Sequence, residues 1–396
     1  MARIEFCWEL GAGTGHVTTL LPIAAAMKKR GHTVRFLLRN VGSAADLAGV
    51  EDLPREAAPI WDGPGRCDNP RNFGEILLNF GYYHPEPVRQ LVAAWRDRLE
   101  DCDAMIANVA PAAHLACRTL GIPAFEISQG FHSPPAVMPA PPLRDWETHR
   151  RSELEAADHT VLAAMNAALA DYGARPVETI GEVMGGRSML LTYPELDIYP
   201  ERGPSEYFGI TNTGEGAAMP AWPQGRPGAP RLFAYLYHYY ERIEPLVAAL
   251  EQSGLPTLAF CRGLPQALKD RYGKGSLRFS DEAMSVSALL PQCDAVVCHG
   301  SHQMTAQALL AGKPVLLLPT QLEQFLIMRR VVRQGAGLGI APDAPNPDFG
   351  AALRALETTP SYAQKAGEFM RRYASHDKDV ALDTIIARVE ASMGKK

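Results

Sequence analysis

Short apolar runs alternate with an amphipathic segment at the start of the chain. Residues 3–10, RIEFCWEL, form one apolar run, and residues 32–38, HTVRFLL, form a second. Between them, residues 17–30, VTTLLPIAAAMKKR, place apolar side chains at the spacing of a helix that buries one face. A strand, a helix and a strand in this order form a βαβ unit, whose strands lie parallel in one sheet with a right-handed crossover.

The same alternation fills the rest of the chain in two sets. Further strands are predicted at 103–110 and 122–128 in the first set, and at 231–239, 255–261, 276–280, 295–299 and 314–319 in the second. A stretch dense in proline and glycine, residues 199–230, separates the sets. The pattern predicts an α/β fold with two doubly wound, Rossmann-like domains. We predict an N-terminal domain at 1–205, a linker at 206–230, a C-terminal domain at 231–375 and a helical tail at 376–396.

Two long irregular stretches interrupt the first domain. Residues 61–87 and 128–146 are rich in aromatic residues and proline, and a helical pattern then runs from about residue 146 to residue 172. Loops of this length inside an α/β domain are usually functional. We therefore expect both stretches to line a binding site.

Composition narrows the class of protein. The chain has 396 residues, too many for one core, and its 46% hydrophobic and 21% charged content is that of an ordinary globular protein. A net charge of −5 argues against a nucleic-acid partner. The seven cysteines are scattered without a CxxC pair, which indicates reduced thiols and no zinc site. No apolar stretch approaches the ~18 residues of a membrane span, and the N-terminus lacks a secretory signal, so we expect a cytoplasmic protein.

The turn after the predicted strand 295–299 is one candidate site. The sequence AVVCHGSHQMTAQALLAG places His299 and Gly300 directly before an Ala- and Leu-rich helix. Unpaired N–H groups in the first helical turn, from about Ser301 to Thr305, and the helix dipole favour an anion there. His299 could donate one further hydrogen bond, and such a donor typically contributes about 3 kcal/mol to lowering a barrier. A turn glycine followed by ordinary packing of the histidine explains the same residues equally well.

The glycine-rich turn GAGTGH at 11–16 is the other candidate site. It departs from the dinucleotide fingerprint GxGxxG because His16 replaces the third glycine, so the motif alone is weak evidence. The positive end of a helix dipole disfavours an imidazolium, and a neutral imidazole can accept a proton near pH 7. The turn therefore predicts a general base at His16. A histidine that merely bonds the backbone at a helix start is an equal alternative.

Both turns together resemble those of nucleotide-sugar glycosyltransferases of the GT-B fold, in particular the bacterial family 1 UDP-glycosyltransferase and macrolide-glycosyltransferase group. That family opens with a strand, a GH turn, a helix and RGHxV, and this chain reads GTGHVTTLLPIAAAMKKRGHTV at 13–34. The family's second domain carries aDavVtHGG, EAL-x-GkPvlvlP, DQ and a helix ending in GaG. This chain reads CDAVVCHGSHQMTAQALLAGKPVLLLPTQLEQFLIMRRVVRQGAGLGI at 293–340. The resemblance implies two Rossmann-like domains that face each other across a cleft.

The resemblance also implies roles for the matching residues. His16 would be the general base, and Asn108 stands where many relatives have the residue that orients it. The implied donor contacts are Gly15 in the first turn, His299, Gly300, Ser301, His302, Gln303 and Met304 around the diphosphate, Gln307 at the ribose, Glu323 and Gln324 at the sugar, and Asp281 and Met284 at the nucleobase. The implied acceptor wall comprises Trp61, Phe80, Tyr82, Tyr83, His84 and His132.

The activity that the resemblance implies is an inverting, metal-independent hexosyl transfer from a UDP- or dTDP-sugar to a small-molecule or natural-product acceptor. The nucleotide sugar is a co-substrate, and no further cofactor, nucleic acid or membrane span is implied. Monomer and homodimer are both compatible with the sequence.

Several residues depart from the family's pattern. Ser301 replaces the second glycine of HGG, Gln307 replaces a glutamate, and Glu323 replaces an aspartate. Asn108 replaces an aspartate, which weakens the base because an amide cannot stabilise an imidazolium by charge. Bulky residues at 237–240 stand where small ones are usual. A nucleotide-sugar 2-epimerase and a non-catalytic nucleotide-sugar-binding or activator protein therefore stay open as alternatives.

Overall fold

The computed structural model describes residues 1–44, 47, 49, 52–185, 188–199, 202–211 and 219–394. The chain divides into two compact units. Unit 1 comprises Met1–Tyr193, Tyr199–Asn212 and Asp377–Lys396, and unit 2 comprises Pro194–Ile198 and Thr213–His376. Residues 212–218 of the predicted linker and residues 395–396 of the predicted tail lie outside the described residues.

A six-stranded parallel sheet forms the centre of unit 1. Its strands are β1 (Arg3–Trp8), β2 (Thr33–Leu38), β3 (Arg55–Ala57), β4 (Ala104–Ala107), β5 (Ala124–Ser128) and β6 (Ser188–Leu190). Its helices up to β6 are α1 (Gly15–Lys29), α2 (Phe73–Leu78), α3 (Pro85–Leu99), α4 (Pro111–Leu120), α5 (Arg151–Ala170) and α6 (Ile180–Gly185). The strand order is β3-β2-β1-β4-β5-β6, with every pair parallel, which is the Rossmann order.

Unit 2 repeats this architecture. Its strands are β7 (Leu232–Tyr235), β8 (Thr257–Phe260), β9 (Leu277–Ser280), β10 (Ala295–Cys298), β11 (Val315–Leu317) and β12 (Gly337–Gly339). Its helices are α7 (Ile243–Ser253), α8 (Gln266–Tyr272), α9 (Val286–Leu289), α10 (His302–Leu310), α11 (Leu322–Gln334), α12 (Phe349–Thr358) and α13 (Pro360–Arg372). The order β12-β11-β10-β7-β8-β9 is the Rossmann order read from the other edge. The predicted α/β class with two doubly wound sheets is confirmed.

The last helix, α14 (Lys378–Met393), lies in unit 1 and packs on α1. Its apolar residues Ile385, Ile386 and Val389 are fully buried. Arg30 at the end of α1 donates to Glu390 of α14 at 2.9 Å. The end of the chain therefore completes a helical layer of the first sheet.

One central strand of each sheet, β4 in unit 1 and β10 in unit 2, is apolar along its whole length. All four residues of β4 and all four of β10 are buried. Strands of a parallel sheet that helices cover on both faces are expected to show such continuous apolar runs. In the described part of the chain, no helix is long and apolar enough to cross a membrane.

Strand β7 ends earlier than the predicted strand 231–239. The ladder continues as far as Leu236, whose N–H donates to Phe260 O at 2.8 Å. The next N–H, that of Tyr237, donates instead to the His299 ring at 2.9 Å. The strand stops there because its next donor is taken by a side chain, and residues 237–240 form a turn.

Candidate active site

The candidate residues lie where each sheet reverses its strand order. In unit 1 the reversal falls between β1 and β4, whose carboxyl ends lead to His16 and Asn108. In unit 2 it falls between β7 and β10, which lead to Tyr237 and His299. Ligands of doubly wound sheets bind outside the carboxyl ends of the strands at this reversal. Each unit therefore has one topologically favoured site.

His16 is the centre of the site in unit 1. It lies in the first turn of α1, is only 8% exposed, and stacks on the Trp8 indole with ring centroids 4.9 Å apart. Its Nδ1 lies 2.5 Å from Asn108 Oδ1. Burial lowers the pKa of His16, against the opposing effect of the Asn108 hydrogen bond. The imidazole is therefore neutral at pH 7. Burial causes this in the structure, whereas the sequence predicted it from the helix dipole.

The orientation of Asn108 determines which nitrogen of His16 carries the proton. Asn108 Nδ2 donates to Ile127 O at 2.5 Å, which leaves Oδ1 as the acceptor facing His16. Since a carboxamide oxygen only accepts, His16 Nδ1 must carry the hydrogen and Nε2 the lone pair. His16 therefore presents a basic Nε2, the form required of a general base.

Val109, the residue after Asn108, has a left-handed backbone with φ of 56°. This conformation is costly for a β-branched residue and persists only where its surroundings enforce it. Here the Val109 N–H donates to Glu126 Oε1 at 2.7 Å, and its carbonyl accepts from the N–H groups of Glu9 and Leu10 at 3.2 and 3.0 Å. The strained turn fixes the direction in which the chain leaves Asn108.

Glu9 is a fully buried carboxyl group at the end of β1. Tyr82 Oη donates to Glu9 Oε1 at 2.8 Å, and the Ala112 N–H in the first turn of α4 donates to Oε2 at 2.9 Å. Burial raises the pKa of Glu9 to about 8, although these two hydrogen bonds oppose the shift. Glu9 thereby joins the end of β1, which carries Trp8, to the start of α4, which follows Asn108. We call these contacts the Glu9 clamp.

The glycine-rich turn approaches His16 closely at one position. Gly11 has a φ of 92°, and a Cβ there would lie 2.6 Å from His16 Nε2. Any side chain at this position would displace the imidazole, so Gly11 is required by both backbone and space. Gly15, predicted to contact the donor, begins α1 and has open space where a side chain would stand.

The six residues predicted to form the acceptor wall have different environments. Trp61 packs against the backbone at Gly81, and Phe80 and Tyr83 lie under the guanidinium groups of Arg39 and Arg66. His84 is exposed and caps α3, accepting from the Glu86 N–H at 3.3 Å.

Tyr82 and His132 show the greatest contrast within that set. Tyr82 is fully buried, and its hydroxyl group bonds the buried carboxyl group of Glu9. It therefore does not form part of the acceptor wall that the resemblance implied. His132 is half-buried, and its ring centroid lies 5.3 Å from that of His16. The structure thus brings His16, Asn108 and His132 together.

His299 uses both ring nitrogens within unit 2. Its Nδ1 lies 2.7 Å from Leu318 O and therefore donates, and its Nε2 accepts from the Tyr237 N–H at 2.9 Å. Burial lowers its pKa to about 4, so the ring is neutral. This differs from the expected hydrogen bond to a diphosphate, because the neutral ring has no second N–H to donate. His299 instead fixes the turns after β7 and β11.

Tyrosine rings lie over His299. Tyr237 stacks on it at 4.4 Å between centroids, and Tyr239 stacks on Tyr237 at 5.1 Å. The Tyr237 phenol shares a hydrogen bond with the Ser301 side chain. Ser301 makes no side-chain cap for α10, and the first turn of this helix holds no acidic residue. The positive end of α10 is therefore not neutralised by an acidic side chain of its own first turn.

The other predicted donor contacts lie on α10 and α11 or near them. Gly300 has a φ of 81°, and a Cβ there would lie 2.9 Å from Gln324 O, so only glycine fits the turn. Gln324 Oε1 accepts from the Thr320 N–H at 2.8 Å and so supports its own loop. Glu323 is half-buried, and burial raises its pKa to about 7. Buried or half-buried positions on α10 are taken by His302, Gln303, Met304 and Gln307.

The turn predicted to contact the nucleobase follows β9. Asp281 pairs with Lys269 at 2.5 Å, and Met284 is only 5% exposed. Met284 is thus part of the core of unit 2. Within the described residues, no group of three or more His, Cys, Asp or Glu side chains could hold a metal ion.

Comparison with known proteins shows which proteins this chain is similar to. Residues 275–383 match the family model for erythromycin biosynthesis protein CIII-like, C-terminal domain. Zeaxanthin glucosyltransferase from Pseudescherichia vulneris is 24% identical over 81% of this chain and 82% of its own length. L-demethylnoviosyl transferase from Streptomyces niveus is 25% identical over 84% of this chain and 83% of its own. The crystal structure of glycosyltransferase VinC in complex with dTDP has the same fold, with a TM-score of 0.64 and 18% identity over 100% of both chains.

The chain has the GT-B fold and is similar in sequence to glycosyltransferases. The family match includes β10, α10, β11 and α11 and so covers His299 and the start of α10, whereas β7 and Tyr237 lie outside it. The likeness to VinC covers both units.

The sequence did not predict that Glu9 and Trp8 belong to the candidate site. One feature of the sequence points to Glu9: it is an acidic residue near the end of an apolar run, just before a glycine-rich turn. Trp8 reads as an ordinary strand residue, and its stacking on His16 depends on the path of the turn between them.

Proposed function

We propose that this protein transfers a sugar from a UDP- or dTDP-type nucleotide sugar to a hydroxyl group of a small natural-product acceptor, with inversion at the anomeric carbon. His16 is the general base in this proposal, and Asn108 orients it. No metal ion or cofactor takes part in the steps below.

The proposal rests on the state of His16. His16 is neutral, its Nδ1 is tied to Asn108 at 2.5 Å, and its Nε2 has no hydrogen-bond partner among the described residues. This lone pair lies at the strand-order reversal of a Rossmann-like sheet, where ligands bind. A histidine held in one tautomer with its outer nitrogen unpaired is suited to accept a proton from a hydroxyl group.

The reaction then balances without further reactants. The acceptor hydroxyl gives its proton to His16 Nε2, and its oxygen forms a bond to the anomeric carbon of the donor. The bond from that carbon to the phosphate oxygen breaks, and the electron pair leaves with the nucleoside diphosphate. A single displacement of this kind inverts the anomeric centre. The imidazolium returns its proton to water.

In the proposed reaction, unit 2 binds the leaving diphosphate. An anion at the start of α10 is favoured by the helix dipole and by N–H groups that no serine cap or acidic side chain of the first turn satisfies. VinC, which shares the fold, was crystallised with dTDP. The relatives' names, zeaxanthin glucosyltransferase and L-demethylnoviosyl transferase, support a sugar donor and a small acceptor.

Nucleotide binding and release test this function. The thermal midpoint of the protein is measured with UDP, dTDP and GDP, since a ligand of the native state raises it. We expect UDP or dTDP to raise the midpoint, and the matching nucleotide sugar to release nucleoside diphosphate slowly. Formation of a 2-epimer in place of release would indicate an isomerase, and absence of binding by all three nucleotides would contradict the proposal.

Substitution of Asn108 by aspartate shifts the pH dependence of the base. Burial lowers the pKa of His16, so the wild-type protein should keep its kcat/KM down to a pH below about 6.5, the ordinary value for histidine. An ionised Asp at this position favours the imidazolium, and a neighbouring opposite charge typically raises a histidine pKa by about 1–3 units. The acid limb of the Asn108→Asp profile should therefore lie at higher pH. Coincident limbs in the two proteins, with equal thermal midpoints, would exclude His16 as the titrating base.

A further inference from the structure

A loop next to His16 holds a second imidazole. Residues 130–133 follow β5, and the ring of His132 lies 5.3 Å from the ring of His16 at an interplanar angle of 52°. The edge of the Phe131 ring packs against His132 at 5.0 Å. In the described part of the chain, neither ring nitrogen of His132 has a hydrogen-bond partner. A partly exposed imidazole without a partner, beside the base, is available to a ligand.

Three backbone carbonyls around His132 are held by two side chains from the segment Tyr199–Asn212 of unit 1. Arg202 donates through Nη2 to Gly130 O at 3.1 Å and through Nη1 to Ser133 O. Tyr199 Oη donates to Phe131 O at 3.2 Å. The Arg202 guanidinium also lies over the Tyr199 ring, 5.1 Å from its centroid. We call Tyr199 and Arg202 the carbonyl brace.

The brace holds the loop on both sides of His132. Its bonds reach the two residues before His132 and the one after it, and the Ser133 N–H closes a turn on Gly130 O at 3.1 Å. A planar guanidinium that bonds two carbonyls restrains both position and angle, which one ammonium group cannot do. The backbone that carries His132 is thereby fixed.

We propose that His132 contacts the acceptor oxygen together with His16, and that Arg202 and Tyr199 are positioning residues that hold His132 in place. A hydroxyl group has one proton to donate and lone pairs to accept with. It donates its proton to His16 Nε2 and accepts from an N–H of His132, so its remaining lone pair is directed at the anomeric carbon. The inference rests on the proposed function and extends it to the attacking group.

The chemistry of two neutral imidazoles selects the class of nucleophile. Burial lowers the pKa of His132 to about 3, and the neighbouring His16 adds to the shift, so both rings are neutral at pH 7. A carboxylate brings no proton for His16, and an ammonium group has no lone pair for His132. An alcohol, a phenol or water matches both partners. The acceptor of this protein is therefore a neutral hydroxyl compound.

Water serves as the probe nucleophile, so the test needs no knowledge of the acceptor. Release of nucleoside diphosphate from the preferred UDP- or dTDP-sugar is measured for the wild-type protein and for His132→Ala, His132→Gln, Arg202→Ala and Arg202→Lys. Affinity for the nucleoside diphosphate and the thermal midpoint are measured for each. One lost and correctly oriented hydrogen bond corresponds to about a tenfold change in rate.

We expect His132→Ala to lower kcat at least tenfold, with nucleotide affinity unchanged. His132→Gln should recover part of the rate, because its amide N–H can still donate. The kcat of Arg202→Ala should fall toward that of His132→Ala, and the kcat of Arg202→Lys should lie between those of Arg202→Ala and the wild-type protein. Arg388→Ala is the matched control, since Arg388 bonds Glu206 in the same segment and not the 130–133 loop; it should retain the wild-type rate.

Two results would overturn the inference while leaving the proposed function intact. One is a wild-type rate in His132→Ala, and the other is a rate loss in Arg202→Ala that His132→Ala does not share. A wild-type protein that neither binds nor releases nucleotide overturns the proposed function and this inference with it.

Discussion

Replacement of His16 by alanine is expected to lower kcat for sugar transfer about a thousandfold, within the range of 10²–10⁴ that general bases contribute. The imidazole is the only group in the proposed reaction that removes the acceptor proton. Asn108 bonds its Nδ1, and its Nε2 has no hydrogen-bond partner in the part of the chain that the structure describes. Affinity for the nucleoside diphosphate should stay unchanged, since the proposed function assigns that ligand to unit 2. The measurement is nucleoside diphosphate release coupled to product formation, with donor affinity measured by calorimetry.

His159→Ala is the matched control for this substitution. It removes an exposed imidazole from α5, and its kcat should equal that of the wild-type protein. A loss below about tenfold in His16→Ala would show that another group takes the proton, because a general base contributes more than this. A loss in donor affinity equal to the loss in kcat/KM would assign His16 to donor binding.

Substitution of Glu9 by leucine is expected to have the largest effect on stability. It leaves the Tyr82 hydroxyl and the Ala112 N–H buried without the partner they have at 2.8 and 2.9 Å. Unpaired buried groups cost about 1–3 kcal/mol each, so the loss of partner for two groups should lower the free energy of unfolding by about 2–6 kcal/mol. Transfer activity should fall as well, since the Glu9 clamp joins the strand end under His16 to the helix after Asn108. Chemical denaturation of both proteins measures the change.

Glu9→Gln is the matched variant for this substitution, and it is expected to remain folded and active. The folded protein holds the Glu9 proton with a pKa of about 8, above the 4.5 of an unperturbed glutamate, so the protonated carboxyl group predominates at pH 7. The amide has the same shape as the protonated carboxyl group. Its oxygen accepts from the Ala112 N–H, and its NH₂ group takes the place of the protonated oxygen and donates to Tyr82 Oη, whose own hydrogen then turns away from residue 9.

The same pKa predicts a pH dependence of stability. A carboxyl group whose pKa is raised on folding stabilises the protein fully below the unfolded pKa and loses that contribution as the pH rises toward the folded one. The wild-type protein should therefore lose up to about 1.4 kcal/mol per pH unit relative to Glu9→Gln in this window, which runs from 4.5 to about 8. A constant difference between the two proteins across that window would contradict the buried, protonated state of Glu9.

The hydrophobic pattern was sufficient to predict an α/β fold with two doubly wound sheets, and most of the strands and helices. The buried parallel strands β4 and β10 are apolar throughout, and the glycine-rich turns mark where helices begin. The glycine-rich turn singled out His16, and the resemblance to the family singled out Asn108. Residues directly after neighbouring parallel strands meet at one edge of the sheet. The contact between His16 and Asn108 in the structure is the direct result of that topology.

Side-chain partners could not be read from the sequence in the same way. His299 was expected to face an anion, yet its two nitrogens bond Leu318 and Tyr237, which are 19 and 62 residues away. Tyr82 was expected to form part of the acceptor wall, yet its hydroxyl group bonds Glu9, 73 residues away, in the core. Such pairings depend on distant segments that no local pattern connects. The carbonyl brace is a further example, since Arg202 lies in a proline- and glycine-rich segment.

The stereochemistry of the first product tests the central claim most directly. An α-linked UDP- or dTDP-hexose is incubated with the protein, and proton NMR records the anomer formed before mutarotation. A single displacement with His16 as base predicts that the β-anomer appears first with the wild-type protein and that its formation almost ceases in His16→Ala. First appearance of the α-anomer, or equal rates in the two proteins, would contradict the account.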